Sequence, residues 1–354
     1  MNPAPLRAFA SALRRGDYGL IDRLLIIRHG RIVMDEKFHR DYANIVSELG
    51  PGDYIGINHG DPVYDYDNLE YHPFYKGSEL HSLQSVTKSV TSAVIGIAID
   101  EGLIEDVDIR VMPFFKDYRT QSDDPRAAAI TLEDLLTMRS GIDWELDNGY
   151  GDATNSTAAL EASDNWVQFV LDRPMYAEPG TVFEYNDGVS VLLGKILREA
   201  TGQRIDRYAV DKLFIPIGID QYYWKITPDG EADTEGGLYL SAEDLARIGY
   251  LFLREGMWKG KRIVSADWVR ESTRPRVFEA RGDLAYGYQW WISQHEKGET
   301  RVFEGSGFGG QRPFVIPEHD LVVVINGWDI RGDHAIRAKA DLLNDVLPAA
   351  FAAP

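Results

Sequence analysis

The chain contains no cysteine. Disulfides and thiolate metal sites are therefore excluded, and the absence fits either redox compartment. No apolar run is long enough to cross a bilayer. Met1 to Arg15 holds no continuous apolar segment of the kind a secretion signal needs, so the expected compartment is cytoplasmic. Positive charge is scarce: 37 Lys and Arg stand against 56 Asp and Glu, a formal charge of −19. That balance argues against nucleic acid and anionic membrane as partners. The eight histidines are scattered, and none forms His-x-His or His-Glu-x-x-His. A zinc hydrolase is not expected, and no metal or other cofactor is implied. Asp65-Tyr66-Asp67-Asn68 has carboxylates enough for calcium but lacks the loop glycine and distal Glu of an EF-hand, so it reads as a solvated loop. No Gly-x-Ser-x-Gly elbow is present, which disfavours an α/β-hydrolase.

What is present is a globular composition, 44% hydrophobic and 26% charged. At 354 residues the chain exceeds the size at which one core stops growing, so one large or two interleaved domains are expected. Leu24 to Arg28 and Arg31 to Asp35 read as a hairpin around His29-Gly30. Residues 41–80 read as a long irregular surface excursion. Thr131 to Asp134 resembles a capping box, Ser163 a cap for Asp164 to Leu171, and Ser241 the start of an amphipathic helix. Tyr286 to Ile292, Arg301 to Glu304, Gln311 to Ile316 and Leu321 to Asn326 are strand-like, and Asp333 to Leu347 reads as a closing helix. The simplest architecture is an antiparallel sheet with strands from both chain ends and helices between.

The chain has one Ser-x-x-Lys, Ser85-Val86-Thr87-Lys88. Three residues apart on a helix, the two side chains share a face. A serine hydroxyl needs an adjacent base to act as a nucleophile, and a desolvated lysine can be that base. The following residues, Ser89 to Ile99, are apolar or small on every face, as in a helix buried all round. A capped core helix would explain the tetrad without chemistry, so its context decides.

That context is Leu83 to Ser89, Leu135-Leu136-Thr137-Met138-Arg139-Ser140-Gly141, Glu178-Pro179-Gly180 with Phe183-Glu184-Tyr185, and Gly305-Ser306-Gly307-Phe308-Gly309-Gly310-Gln311. In this order the chain resembles the serine β-lactamase and penicillin-binding-protein-like hydrolases, especially the branch of class C enzymes, family VIII carboxylesterases and D-aminopeptidases. The resemblance implies a β-lactamase-like α/β fold of the α+β type. It implies a sheet-containing domain from residues 1–115 and 225–354, a mainly helical domain of residues 116–224, and an active site between them. It implies Ser85 as nucleophile, Lys88 and Tyr185 as its proton-relay partners, and the backbone N–H groups of Ser85 and Phe308 as oxyanion donors. Asp187, Gly305, Ser306 and Gly307 would be substrate-binding.

Two positions depart from the family pattern. Asp187 stands where Tyr-x-Asn has Asn. An ionised Asp only accepts hydrogen bonds, and its charge would raise the pKa of a nearby Lys88. Gly305-Ser306-Gly307 stands where the family has Lys-x-Gly or His-x-Gly, so the cation that would hold a β-lactam carboxylate is missing from that strand. Gly305 to Gly310 also fits Gly-x-Gly-x-x-Gly, but a strand-like run follows where a dinucleotide site needs a helix. The expected function is a serine hydrolase acting through an acyl-enzyme on an ester or small amide, with carboxylesterase ahead of D-amino-acid peptidase or weak β-lactamase. A catalytically silent binding module on the same fold is the alternative of another class. The expected partner is a small-molecule ester or amide substrate, with self-association into a homo-oligomer left open. Trp144, Tyr150, Trp290, Trp291 and Trp328 are candidates for an acyl pocket.

Overall fold

The computed structural model describes residues 2–50, 53, 64–71, 74–119, 124–295, 300–332 and 334–351. Its main sheet takes strands from both ends of the chain: β1 (Ile21–Arg28), β2 (Arg31–Lys37), β3 (Val277–Arg281), β4 (Leu284–Tyr286), β5 (Trp291–His295), β6 (Thr300–Glu304), β7 (Arg312–Ile316) and β8 (Leu321–Gly327). All neighbours are antiparallel, in the order β2-β1-β8-β7-β6-β5-β4-β3. The first and last strands in sequence thus pair one strand in from an edge, with Leu24 opposite Ile325 and Leu25 opposite Val324.

Both faces of this sheet are covered, which is why β8 reads as an unbroken apolar run rather than an alternation. Leu24, Ile26, Leu321, Val323 and Ile325 pack against Leu6, Phe9 and Leu13 of helix α1 (Pro3–Arg15) and against the C-terminal helices. Leu25, Val322 and Val324 face the main core. The sequence reading did not mark α1, although Leu6, Phe9, Ala10 and Leu13 carry a helical stripe and Asn2 Oδ1 caps it by accepting from Ala4 N at 3.1 Å.

The remaining helices used below are α2 (Val86–Asp100), α3 (Leu132–Leu136), α4 (Ser156–Glu161), α5 (Trp166–Leu171), α6 (Asp187–Thr201), α7 (Ala242–Leu253) and α8 (His334–Asp341). The Thr131–Asp134 capping box and the Ser241 cap form as expected. The cap of α5 is Asn165, not Ser163, because its side chain accepts from Gln168 N. The closing helix begins at His334; Asp333 lies outside the described residues.

Three expectations are corrected, for identifiable reasons. Of residues 41–80, positions 51, 52, 54–63, 72 and 73 lie outside the described residues. The rest lies largely at the surface but is anchored in the core, since Tyr42, Tyr64, Tyr66, Asp67 and Leu80 are buried among exposed and half-buried neighbours. Asp67 accepts from Arg331 at 2.6 Å, so Asp65 to Asn68 is not a solvated loop. Among the described residues no group of acidic or histidine side chains has metal-binding geometry. The run from Tyr286 to Ile292 is two strands, parted at Gln289, whose φ of 62° interrupts the ladder.

Gln289 is the junction behind the functional helices. Its backbone O accepts from Ser89 on α2, its Oε1 from Ser190 on α6, and its Nε2 donates to Leu135 O and Leu136 O at α3. Gln289→Ala would leave the Ser190 hydroxyl and these carbonyls without their side-chain partner. Each buried group so orphaned costs roughly 1–3 kcal/mol. The expected outcome is a loss of about 2–4 kcal/mol in denaturant melts. An unchanged midpoint would show that the junction carries no weight.

Candidate active site

Ser85 occupies the N-cap of α2, yet its hydroxyl makes no cap hydrogen bond. The hydroxyl is instead 3.0 Å from Lys88 Nζ. Gln84, just before it, is held at φ 49° and buried. Left-handed backbone at a non-glycine residue costs energy and turns the chain sharply into the helix, so that Ser85 projects into the cleft.

Lys88 is 1% exposed and fully engaged. Its Nζ donates to Glu235 O at 2.6 Å, lies 2.6 Å from Asp187 Oδ1 and lies 3.5 Å from Glu235 Oε2. Burial pushes the ammonium toward its neutral form, but Asp187, Tyr185 and Glu235 together outweigh burial and hold Lys88 well above the ordinary lysine pKa. The sequence reading named both effects, desolvation that could make Lys88 a base and an Asp187 charge that would raise its pKa. The carboxylate 2.6 Å away gives the second the upper hand. Asp187 sits in the first turn of α6, where the helix dipole favours its charge, and its Oδ2 accepts from Thr157 at 2.5 Å.

Tyr185 is half-buried, within hydrogen-bonding reach of both Ser85 and Lys88. Burial raises the pKa of its phenol, Lys88 lowers it, Asp187 raises it, and the net direction is up. Its ring stacks on Trp291 at 5.7 Å. The modest sequence pieces explain this placement. Glu184 N donates to Met138 O, Gly180 N to Arg139 O, and Tyr176 N to Gly141 O. The Leu135-to-Gly141 turn is thus the frame on which Tyr185 is hung. Gly141 is required there, for its φ is 75° and a Cβ would fall 2.3 Å from Ala177 O.

The loop after β6 completes the site. Gly307 lies so close to the segment before Ser85 that a Cβ would fall 2.3 Å from Leu83 O. This close approach puts Phe308 beside Ser85 along one cleft. Among the described residues neither the Ser85 nor the Phe308 backbone N–H donates to a protein acceptor. Two free donors, one at the N-terminus of a long helix, can receive an oxyanion. The cleft has a volume of about 440 Å³ and is walled by residues 146–150 on one side and 306–310 on the other.

Ser306 and Gly307 line the cleft, as does Tyr150. Gly305 does not: a Cβ there would meet Val86 at 2.9 Å and Pro313 at 3.2 Å. Asp187 is buried beneath the cleft, on Lys88 rather than among the lining residues. Of the candidate aromatics, Tyr150 and Trp291 line the cleft, while Trp144, Trp290 and Trp328 are buried elsewhere. Sequence reasoning missed Thr157, Glu235, Arg281 and Arg312. The two arginines line the cleft. Arg312 was invisible as a site residue because it comes from the strand beside the Gly305 position rather than from that position.

The chain belongs to the Beta-lactamase family, whose model matches residues 23–343. The 6-aminohexanoate-dimer hydrolase of Paenarthrobacter ureafaciens is 27% identical over 296 residues, 76% of this chain and 72% of that protein. A solved family VIII carboxylesterase superposes with a TM-score of 0.66 at 17% identity, over 98% of this chain and 96% of its own. A D-stereospecific amidohydrolase from Streptomyces gives 0.67 at 16% identity, over 98% of each chain. These structures share the fold, an antiparallel sheet with helices. The family is one of serine hydrolases and includes esterases and amidases. No helix among the described residues is long and apolar enough to cross a membrane.

Proposed function

We propose that this protein hydrolyses a carboxylic ester or small amide through an acyl-enzyme on Ser85. The observation that carries the reading is the Lys88 ammonium 3.0 Å from the Ser85 hydroxyl in a buried site, beside two unoccupied backbone donors on the same cleft. Ser85 Oγ attacks the carbonyl carbon, and the oxyanion is received by Ser85 N–H and Phe308 N–H. The reactive form is the one in which the Lys88–Tyr185 pair has lost a proton. The remaining proton stays on Lys88, where Asp187 favours it, and the Tyr185 phenolate takes the Ser85 proton. The phenol then returns it to the leaving group, and water reverses the sequence to free the acid.

Asp187 sets the pH at which this begins. It raises the pKa of both Lys88 and Tyr185. The wild-type kcat/KM for p-nitrophenyl butyrate should therefore climb with pH from about pH 7 toward about pH 10 without a neutral plateau. Asp187→Asn keeps the shape and removes the charge, so the rising limb moves to lower pH. A profile that Asp187→Asn leaves in place would break the link between Asp187 and the relay. The assignment as a whole is tested by fluorophosphonate labelling. Ser85 should carry the label, and its absence from a folded, pure sample would leave the silent binding module as the surviving reading.

A further inference from the structure

Asp187 is not the only acid buried around Lys88. Glu235 and Asp233, on the segment that receives the ammonium, and Glu161, the last residue of α4, are buried with it and act on one another electrostatically. Lys225 is the second buried cation that faces them. Two ammoniums cannot neutralise four carboxylates. An uncompensated charge in the interior is so costly that a carboxyl takes up a proton instead.

The hydrogen bonds show which carboxyls stay charged. Asp187 is held by Lys88 and by the Thr157 hydroxyl. Asp233 Oδ1 accepts from Glu235 N at 3.1 Å and Gly236 N at 3.0 Å. Burial raises Asp233, but Lys225 and those N–H groups pull it back. Glu235 and Glu161 are less well served. Glu235 Oε2 stands 3.5 Å from Lys88 Nζ, and among the described residues no hydrogen bond reaches its carboxyl. Glu161 accepts one, from the Tyr66 hydroxyl at 3.0 Å, and its Oε2 is buried without a partner among the described residues. Burial pushes Glu161 up to about 8, and burial with Asp233 alongside lifts Glu235 well above the usual carboxylate range. The other titratable groups around the cluster are the phenols of Tyr66, Tyr150, Tyr185 and Tyr239. Burial drives Tyr66 and Tyr150 far up, so neither adds a charge near neutrality.

We infer that Glu235 is a positioning residue for the proton relay: its side chain is a neutral carboxylic acid near neutrality, and it ionises in competition with Tyr185 as pH rises. This inference rests on the acyl-enzyme reading of Ser85. The Glu235 proton passes to solvent, and the carboxylate left behind becomes a second anion beside Lys88. That anion strengthens the hold of the Lys88–Tyr185 pair on its remaining protons. The two acids therefore titrate as one coupled system, and the reactive form accumulates over a wider pH range than a single group would give. Lys88 keeps its place throughout, because it donates to the backbone O of Glu235, which carries no proton to lose.

The slope of the pH profile tests this. Wild-type kcat/KM for p-nitrophenyl butyrate should climb by only about threefold per pH unit between neutrality and the alkaline limit. Glu235→Gln keeps the shape and the backbone O but cannot ionise. Its profile should steepen to about tenfold per pH unit and move to lower pH. Glu235→Asp, which can ionise, should bring back the shallow climb. A purely structural loss would lower kcat/KM at every pH without changing the slope. Infrared spectra read the protons without reference to activity. Wild type should show the C=O stretch of protonated carboxylic acids at neutral pH, Glu235→Gln and Glu161→Gln should each lose part of it, and the band should fade in alkali. If Glu235→Gln fails to fold, the band that remains in Glu161→Gln carries the test. An unchanged slope in Glu235→Gln, or no protonated-acid band at neutral pH, overturns the inference while labelling of Ser85 keeps the hydrolase intact. No turnover together with no labelling of Ser85 would overturn the hydrolase reading and this inference with it.

Discussion

Ser85→Ala is expected to abolish turnover, on the order of a thousandfold or more in kcat, without disturbing the fold. The structure explains why these two effects separate. The Ser85 hydroxyl makes no cap hydrogen bond to α2, so alanine costs the helix little. Its polar neighbours are Lys88 and Tyr185, and Lys88 keeps Asp187 and Glu235 O when the hydroxyl is gone. The thermal midpoint should stay within a degree or two of wild type, read beside kcat for the best ester. A folded variant with near-normal activity would make the acyl-enzyme on Ser85 untenable.

Lys88→Ala and Tyr185→Phe are each expected to lose nearly as much activity as Ser85→Ala, but they part company in stability. Removing Lys88 strands the Asp187 carboxylate in the interior. Breaking a buried pair in this way costs about 3–5 kcal/mol. Tyr185→Phe keeps the ring on Trp291 and removes a half-buried hydroxyl, which costs about 1 kcal/mol. The Lys88→Ala loss of stability should be largely recovered by adding Asp187→Asn, while its activity is not. The Lys88–Tyr185 double variant should be little worse than either single one, since groups that move one proton together are not additive. Multiplicative losses in kcat, or a Lys88→Ala protein as stable as wild type, would separate the relay from the ion pair that supports it.

Much of the fold is legible in the chain. The hairpin of β1 and β2, the apolar β8 and the all-round apolar α2 carry periodicities that one local segment determines by itself. The caps at Thr131 and Ser241 are likewise local, a side chain meeting a backbone N–H three residues on. Segments whose burial depends on distant partners were misread. Tyr64 and Tyr66 lie among Gly, Asp and Pro, yet Tyr66 is buried with its hydroxyl on Glu161, 95 residues away. Composition made that stretch look solvated, and only packing against α4 and α5 shows otherwise.

The same division runs through the site. The sequence by itself determined the candidate nucleophile and the spacing to Lys88, because three residues on a helix define a shared face wherever the helix lies. It also determined that Asp187 would bear on Lys88. What only the tertiary structure decided is the outcome of that encounter. Burial and an opposite charge push a lysine in opposite directions, and the 2.6 Å contact with Asp187, with Glu235 behind it, settles the sign. Tertiary structure likewise decided where the cleft keeps its cations. Hydrogen-bonding β6 to β7 sets Arg312 beside a loop from which the expected lysine is absent. Charge in a cleft belongs to whichever strands the fold brings alongside, and strand neighbours are set by pairing rather than by position along the chain.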